Sequence, residues 1–213
     1  MRRVTSLKDE SARRALLLAG AAVLATLAVD LFVLVEAARK GTATGVFTRD
    51  VRTVIAEAHT KPPYYAGWVS QLNIMAWAAA AALSAAVAYL QKVRRGWMLG
   101  FAALLTLLGL DDALMLHEWG VHGLVPEKAF FAVYAVLGLA LLSRLHWRDP
   151  VTSLFVAGGV CLAVSITIDQ VSPHIFLTED SFKLLGTLLW LAIPLLSLAR
   201  VRDEAATAAT PID

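Results

Sequence analysis

The feature that most constrains this chain is a series of apolar runs, each about 20 residues long, that recurs along the whole sequence. A helix of about 20 residues is as long as the hydrocarbon core of a bilayer is thick, so each run predicts one membrane-spanning helix. Hydrophobic residues make up 58% of the 213 residues and charged residues only 17%. This composition excludes a soluble enzyme, a disordered chain and a disulfide-stabilised secreted domain.

The apolar runs predict an all-α fold, a bundle of six transmembrane helices. The six spans are residues 15–37, 66–90, 97–116, 129–143, 151–168 and 182–199. The fourth is short for a full crossing, because a bilayer-spanning helix needs about 17 residues or more. We therefore predict a transmembrane domain over 15–202, preceded by a basic N-terminal segment (1–14) and followed by a disordered tail (203–213).

Lysine and arginine are distributed unequally between the two sides of this bundle. With the N-terminus in the cytoplasm, 12 of the 19 basic residues fall on the inner side, and every short inner loop is basic. This bias predicts a bacterial-type inner (plasma) membrane protein with both termini cytoplasmic. The net charge of +2 is too small to indicate nucleic acid. The expected partners are the lipid bilayer and, as an open option, other membrane-protein subunits.

The outer loop, residues 38–65, is the one long connection. Apolar residues recur in it at helical spacing, with charged residues between them, which predicts an extracytoplasmic amphipathic helix on the membrane surface. Such a helix either caps the bundle or forms a lid over an outer pocket. Amphipathicity alone does not distinguish these two roles.

Polar side chains occur at a similar depth in several spans. Asp30, for example, lies about seven residues from the outer end of its helix, which is about 10 Å at 1.5 Å per residue. Ionisable groups inside a bilayer cost several kcal/mol unless they meet a partner or water. One shared pocket that opens outward explains the whole set economically. Its predicted members are Asp30, Gln71, Asn73, Asp112, Tyr134 and Asp169.

The segment LDDALMLHEWGVH carries the highest density of acidic and histidine side chains. On a continuous helix, Asp111, Glu118 and His122 would form one stripe, because seven and eleven residues return close to the same face. Carboxylate and imidazole groups suit zinc, iron or manganese. The predicted metal ligands are Asp111, His117, Glu118, His122 and His174. A metal-free polar network that fixes helix packing or binds a proton is the open alternative.

The stretch from Leu110 to Glu118 resembles a pattern of small uncharacterised bacterial polytopic membrane proteins. In these proteins an acidic pair near the outer end of a span is followed, after four residues, by His-Glu. A later acidic pair, a charged residue and a glycine then open another span. The matching residues here are Asp111, Asp112, His117, Glu118, Glu179, Asp180, Lys183 and Gly186. The resemblance implies no activity, but it marks Asp111, Asp112, His117, Glu118, Glu179 and Asp180 as residues to be tested together. Alkaline ceramidases also invite comparison, although they have seven spans and a paired-histidine motif.

These observations favour an integral membrane protein with an outward-facing acid/histidine pocket that holds a divalent cation. If the protein is an enzyme, the cation would activate water against a lipid or small amphiphile. Two alternatives from other classes remain: an accessory or assembly subunit of a larger membrane complex, and a proton- or cation-coupled carrier. The carrier is disfavoured because the inner halves of the spans lack titratable residues.

Overall fold

A computed structural model describes residues 2–49, 54–55, 62–91, 94–116, 126–172 and 175–208. Within these ranges the chain forms seven helices and no strand, which confirms the all-α prediction. The helices are α1 (Arg2–Lys40), α2 (Gly45–Thr48), α3 (Trp68–Leu90), α4 (Arg95–Leu114), α5 (Glu127–Leu142), α6 (Pro150–Val171) and α7 (Phe176–Ala208).

Five of these helices, α1, α3, α4, α6 and α7, are long and apolar enough to cross a membrane. The most apolar 18-residue window of α1 is only 17% buried, against 56% for that of α7. Large apolar side chains such as Leu16, Leu24 and Leu31 point away from the protein on α1. Exposed leucines at this density suit hydrocarbon rather than water. The architecture is that of an integral membrane protein, with α7 at the centre and α1 at the periphery.

The predicted fourth span, residues 129–143, is not confirmed as a membrane crossing. It corresponds to α5, whose 16 residues measure about 24 Å, less than the hydrocarbon core of about 30 Å. The helix nevertheless lies alongside the long ones. Trp97 at the start of α4 donates to the Leu141 carbonyl at the end of α5 (2.9 Å). Gln170 at the end of α6 donates to Glu127 at the start of α5 (2.9 Å), so α5 runs antiparallel to both neighbours.

The ends of the bundle are defined by contacts between α1 and α7. Arg14 forms an ion pair with Asp203 at 2.6 Å, and the hydroxyl of Ser181 donates to Asp30 at 2.8 Å. The two helices are therefore antiparallel. We call the end that contains Arg14 and Asp203 the terminal end, and the end that contains Asp30 and Ser181 the cavity end.

Asp149 connects three segments at the terminal end. It caps α6 by accepting a hydrogen bond from the Val151 amide (3.1 Å), and it pairs with Arg94 before α4 (2.5 Å) and Arg200 on α7 (3.1 Å). Burial by itself raises the pKa of the Asp149 carboxyl. The hydrogen bonds from Arg200, the Val151 amide and Arg94 outweigh it and hold that pKa below its ordinary value.

We expect Asp149→Asn to destabilise the protein at pH 7 by about 1–3 kcal/mol, because Arg94 and Arg200 lose the negative charge and one of the two acceptor oxygens that they share, whereas the amide oxygen of asparagine can still cap the helix. Since the folded-state pKa is depressed, the carboxylate contributes its full stability above the ordinary value of 3.8. That contribution falls as the pH drops from 3.8 towards the lower folded-state value. Unfolding in mixed micelles across this range should show the loss in the wild type and a flatter profile in Asp149→Asn. The control is Glu10→Gln, in an exposed pair with Arg14; equal slopes in Asp149→Asn and the wild type would contradict the assignment.

An aromatic cluster fills the middle of the bundle. Phe155 and Trp190 stack at 5.1 Å between ring centroids, and Phe101 and Trp77 contact Trp190 edge-on. The indole of Trp190 donates to the Phe155 carbonyl at 2.9 Å. These large rings pack against one another between the terminal end and the cavity end.

Two predicted boundary features are described only in part by the structure. Most of the predicted surface helix lies outside the described residues, but Phe47 on α2 is fully buried against Val33 and Val69 instead of lying on a surface. The predicted disordered tail begins inside α7, which continues to Ala208 because Asp203 is anchored to Arg14.

Candidate functional site

A cavity of about 560 Å³ opens at the cavity end, among α3, α4, α5, α6, α7 and the residues around the end of α2. The helices α3 to α7 contribute side chains from up to about three turns nearest this end. The polar and charged lining residues are Thr48, Arg49, Ser70, Asp111, Asp112, Glu127, Tyr134, Ser165, Asp169, Gln170, Glu179, Asp180 and Lys183. Aromatic and aliphatic side chains form the rest of the wall.

The cavity wall is strongly acidic. Six carboxyl side chains line it and two basic ones, Arg49 and Lys183. The acids come from four helices, α4, α5, α6 and α7. Low-dielectric walls that carry mainly one sign of charge concentrate counter-ions.

Asp112 and Lys183 form an ion pair across the cavity wall. Lys183 on α7 donates to Oδ1 of Asp112 on α4, and the Asp112 side chain is only 5% exposed. The second carboxylate oxygen, Oδ2, is buried without a hydrogen-bond partner among the described residues. A buried carboxylate is stable only when its charge is compensated, so Lys183 is the group that allows Asp112 to remain inside.

Asp111 is also buried, at 4% exposure. The Tyr134 hydroxyl on α5 lies near its carboxylate. The two adjacent aspartates thus face different neighbours, one on α5 and one on α7. Consecutive residues on a helix are 100° apart, which explains why one acidic pair reaches two helices.

Several buried polar atoms around the cavity have no acceptor or donor in the part of the chain that the structure describes. They are Thr48 Oγ1, Trp77 Nε1 and Asp112 Oδ2, and each belongs to a residue at most 6% exposed. Buried polar groups are satisfied by protein, by ordered water or by a ligand. Ordered water would satisfy such atoms as well as a ligand would.

The structure brings together three of the six predicted pocket residues, Asp112, Tyr134 and Asp169. Asp30 lies outside the cavity lining, where it binds Ser181 between α1 and α7. Asn73 is fully buried in α3 with neither side-chain atom hydrogen-bonded among the described residues, and Gln71 is exposed. Residues at the same depth in different helices can therefore face different sides of the bundle.

Of the predicted metal ligands, Asp111 lines the cavity, whereas His117, Glu118, His122 and His174 lie outside the described residues. The continuous helical stripe through Asp111 is wrong, because α4 ends at Leu114 and Met115 adopts a left-handed conformation that terminates it. No three His, Cys, Asp or Glu side chains within the described ranges gather closely enough to hold a metal. The metal site therefore stays a prediction.

Sequence reasoning missed Lys183 as a cavity residue. Its spacing from Glu179 is typical of a local i, i+4 ion pair, and the structure shows that it also donates to Asp112, 71 residues away. The sequence did contain a signal for this role. A lysine seven residues into an apolar helix is costly inside the bundle unless an acidic side chain compensates its charge. Thr48, Arg49, Ser70 and Glu127 were also missed, because nothing in their local sequence indicates that they face a cavity.

These features define a class: an all-helical protein whose helices are compatible with a membrane, with an acid-lined cavity that opens near one end of its bundle. The chain belongs to the family of the domain of unknown function DUF8692, whose model matches residues 15–197. No curated protein and no solved structure matches it.

Proposed function

We propose that this protein binds a small cation inside the membrane bundle, and that the acid-lined cavity is its binding site. The observation that carries the proposal is the excess of six carboxyl groups over two basic groups around one cavity, with Asp111 and Asp112 both buried. Burial of carboxylates is costly, and a bound cation offsets that cost.

A divalent cation is the first candidate ligand. Asp111 would supply a carboxylate oxygen, and the sequence places His117 five residues after Asp112 and His174 two residues before Phe176, which lines the cavity. Zinc, iron or manganese suits such a ligand set. Bound there, the metal would make water a nucleophile, and the substrate of the resulting hydrolase would be a lipid or small amphiphile.

We expect purified protein in mild detergent to bind a cation, and Asp111→Asn to weaken that binding about tenfold or more. Calorimetry and thermal unfolding with zinc, manganese, magnesium and organic amines measure it. Elemental analysis of wild type and His117→Ala tests the metal form, because loss of a ligand lowers the bound metal. Glu36→Gln is the matched control, since Glu36 lies near the cavity end of α1 and pairs with Arg39. Absence of any cation effect in the wild type would contradict the proposal.

A carrier function finds less support than binding. The aromatic cluster around Trp190 and Phe155 lies between the cavity and the terminal end, and it favours a pocket closed at its base. Uptake of a cation into proteoliposomes that depends on Asp111 would reverse this ranking.

A role as an accessory subunit is the second candidate. The observation that favours it is α5, which has no buried residue and exposes Val133, Val136 and Leu139 on its outer face. A partner helix or lipid would cover that face. Crosslinking from a cysteine at Val136 in native membranes distinguishes the two, because a protein partner gives a discrete heavier product.

We further propose that both termini are cytoplasmic. The Arg14–Asp203 ion pair supports a common side for the two ends, and the basic residues of the terminal end support the cytoplasm. Single cysteines at Arg13 and Arg202 should react with a membrane-impermeant maleimide only after cells are opened. Labelling of either position in intact cells would contradict this topology.

A further inference from the structure

The cavity already contains an alkylammonium group bound to its buried carboxylate. The Lys183 side chain is a four-carbon chain that ends in a primary ammonium, and it donates to Asp112 Oδ1. The wall around Asp112 therefore accommodates this chemistry. Lys183 is 24% exposed, whereas Asp112 is 5% exposed, so the lysine approaches from the more open side.

The acids are dispersed around the wall in a manner that suits an extended ligand. A bare metal ion needs several ligand atoms within about 2.0–2.6 Å of one point. In the described part of the chain no three such side chains meet at one point. A ligand of several atoms reaches carboxylates on different helices, and a cavity of about 560 Å³ has room for one.

Aromatic rings provide the second kind of contact that organic cations use. Trp77, Phe131, Tyr134 and Phe176 line the cavity. The guanidinium of Arg49 already lies over the Phe176 ring, 4.8 Å from its centroid. Ammonium groups bind both aromatic faces and carboxylates. The structure shows one example of each contact, since Lys183 pairs with Asp112 and Arg49 lies over the Phe176 ring.

We propose that the cavity binds a small organic ammonium compound, which takes the place of Lys183 at Asp112. This inference rests on the proposed cation-binding function and names its ligand class. Asp112 Oδ1, to which Lys183 donates in the structure, accepts a hydrogen bond from the incoming ammonium, and Trp77 and Thr48 line the same cavity. The released lysine turns towards Glu179, one helical turn away. Lys183 is thus a built-in competitor that sets the affinity of the site.

The test compares 1,4-diaminobutane, n-butylamine and the uncharged 1,4-butanediol as ligands of the full-length protein in detergent. We expect the diamine to bind the wild type and the diol not to bind. Lys183→Met should bind the amines about tenfold more tightly, because no internal ammonium has to be displaced. Asp112→Asn should lose most of the binding. Lys128→Met is the matched control, since Lys128 is an exposed lysine near the same end and should leave the affinity unchanged.

Nanodiscs of two lipid compositions distinguish the two possible sources of the ammonium group, a lipid headgroup and a free amine. Nanodiscs with phosphatidylethanolamine should weaken diamine binding, relative to nanodiscs with phosphatidylglycerol, if the ligand is a lipid headgroup. Equal diamine affinity in both nanodiscs identifies a free amine. Both results support the proposal and separate its two sources.

Other outcomes overturn the inference without ambiguity. Unchanged or weaker amine binding in Lys183→Met overturns it, as does binding of phosphate or acetate that requires Lys183. If Lys183→Met does not fold, Lys183→Gln replaces it in the test. Loss of amine binding in Asp112→Asn then supports the inference, and equal amine affinity in Asp112→Asn and the wild type overturns the inference. Binding of zinc or manganese without any amine binding refutes this inference and leaves the proposed function standing, whereas no cation binding refutes both.

Discussion

Gly158→Ala should destabilise the protein by about 3 kcal/mol, the largest effect that we expect from the addition of a single methyl group. A Cβ atom at Gly158 would overlap the Trp190 ring and lie 3.0 Å from the backbone carbonyl oxygen of Gly186. Neither neighbour can yield easily. The Trp190 indole is fixed by its hydrogen bond to Phe155, and the Gly186 carbonyl belongs to the facing helix. Gly186→Ala should behave similarly, because its Cβ would lie 2.9 Å from the Gly158 carbonyl oxygen.

The matched controls are Gly20→Ala and Gly138→Ala, both in helices. An added Cβ atom meets nothing within 4 Å at either position. Alanine is the better helix former, so each control should be neutral or stabilising by up to about 1 kcal/mol. SDS titration in mixed micelles gives the unfolding free energies. Wild-type stability in Gly158→Ala would show that α6 and α7 do not approach as closely as described.

Lys183→Met should destabilise the protein without ligand by about 3–5 kcal/mol, because it leaves the Asp112 carboxylate buried and uncompensated. Asp112→Asn should cost less, about 1–3 kcal/mol, because Lys183 is more exposed and can reach water. The double variant should cost at least about 1 kcal/mol less than the sum of the two single changes.

This cycle also links stability to ligand binding. A ligand that binds only the folded state stabilises it in proportion to the logarithm of its concentration over Kd. Amines should therefore raise the unfolding temperature of Lys183→Met more than that of the wild type. Lys128→Met should change stability by less than about 0.5 kcal/mol. Strict additivity of Lys183→Met and Asp112→Asn would contradict the ion pair.

Much of this fold could be predicted from the sequence because a bilayer restricts which backbone structures a chain can adopt. Backbone polar groups inside hydrocarbon must be satisfied within a helix, so apolar runs of sufficient length become helices. The runs around Leu24 and Ile193 therefore predicted α1 and α7 directly. The 129–143 run predicted a helix, and the structure confirms the helix. It does not confirm a membrane crossing, because the helix begins at Glu127 and ends at Leu142 and is therefore only 16 residues long.

The acidic pair was identifiable for the same reason. Asp111 and Asp112 inside an apolar run have to be compensated, so the sequence alone marked them as important. Their partners could not be predicted, because rotation about each helix axis and the choice of neighbouring helices are set by side-chain packing. Asp30 and Asp112 lie at comparable depths, yet only Asp112 lines the cavity.

By itself, the sequence determined that this chain forms long apolar helices and that acidic side chains are embedded near one end of them. Only the tertiary structure decided that Lys183 compensates Asp112, that Tyr134 reaches Asp111, and that both aspartates line one cavity. The physical reason is that helix formation depends on local composition and length, whereas the meeting of two side chains from different helices depends on the packing of the whole bundle.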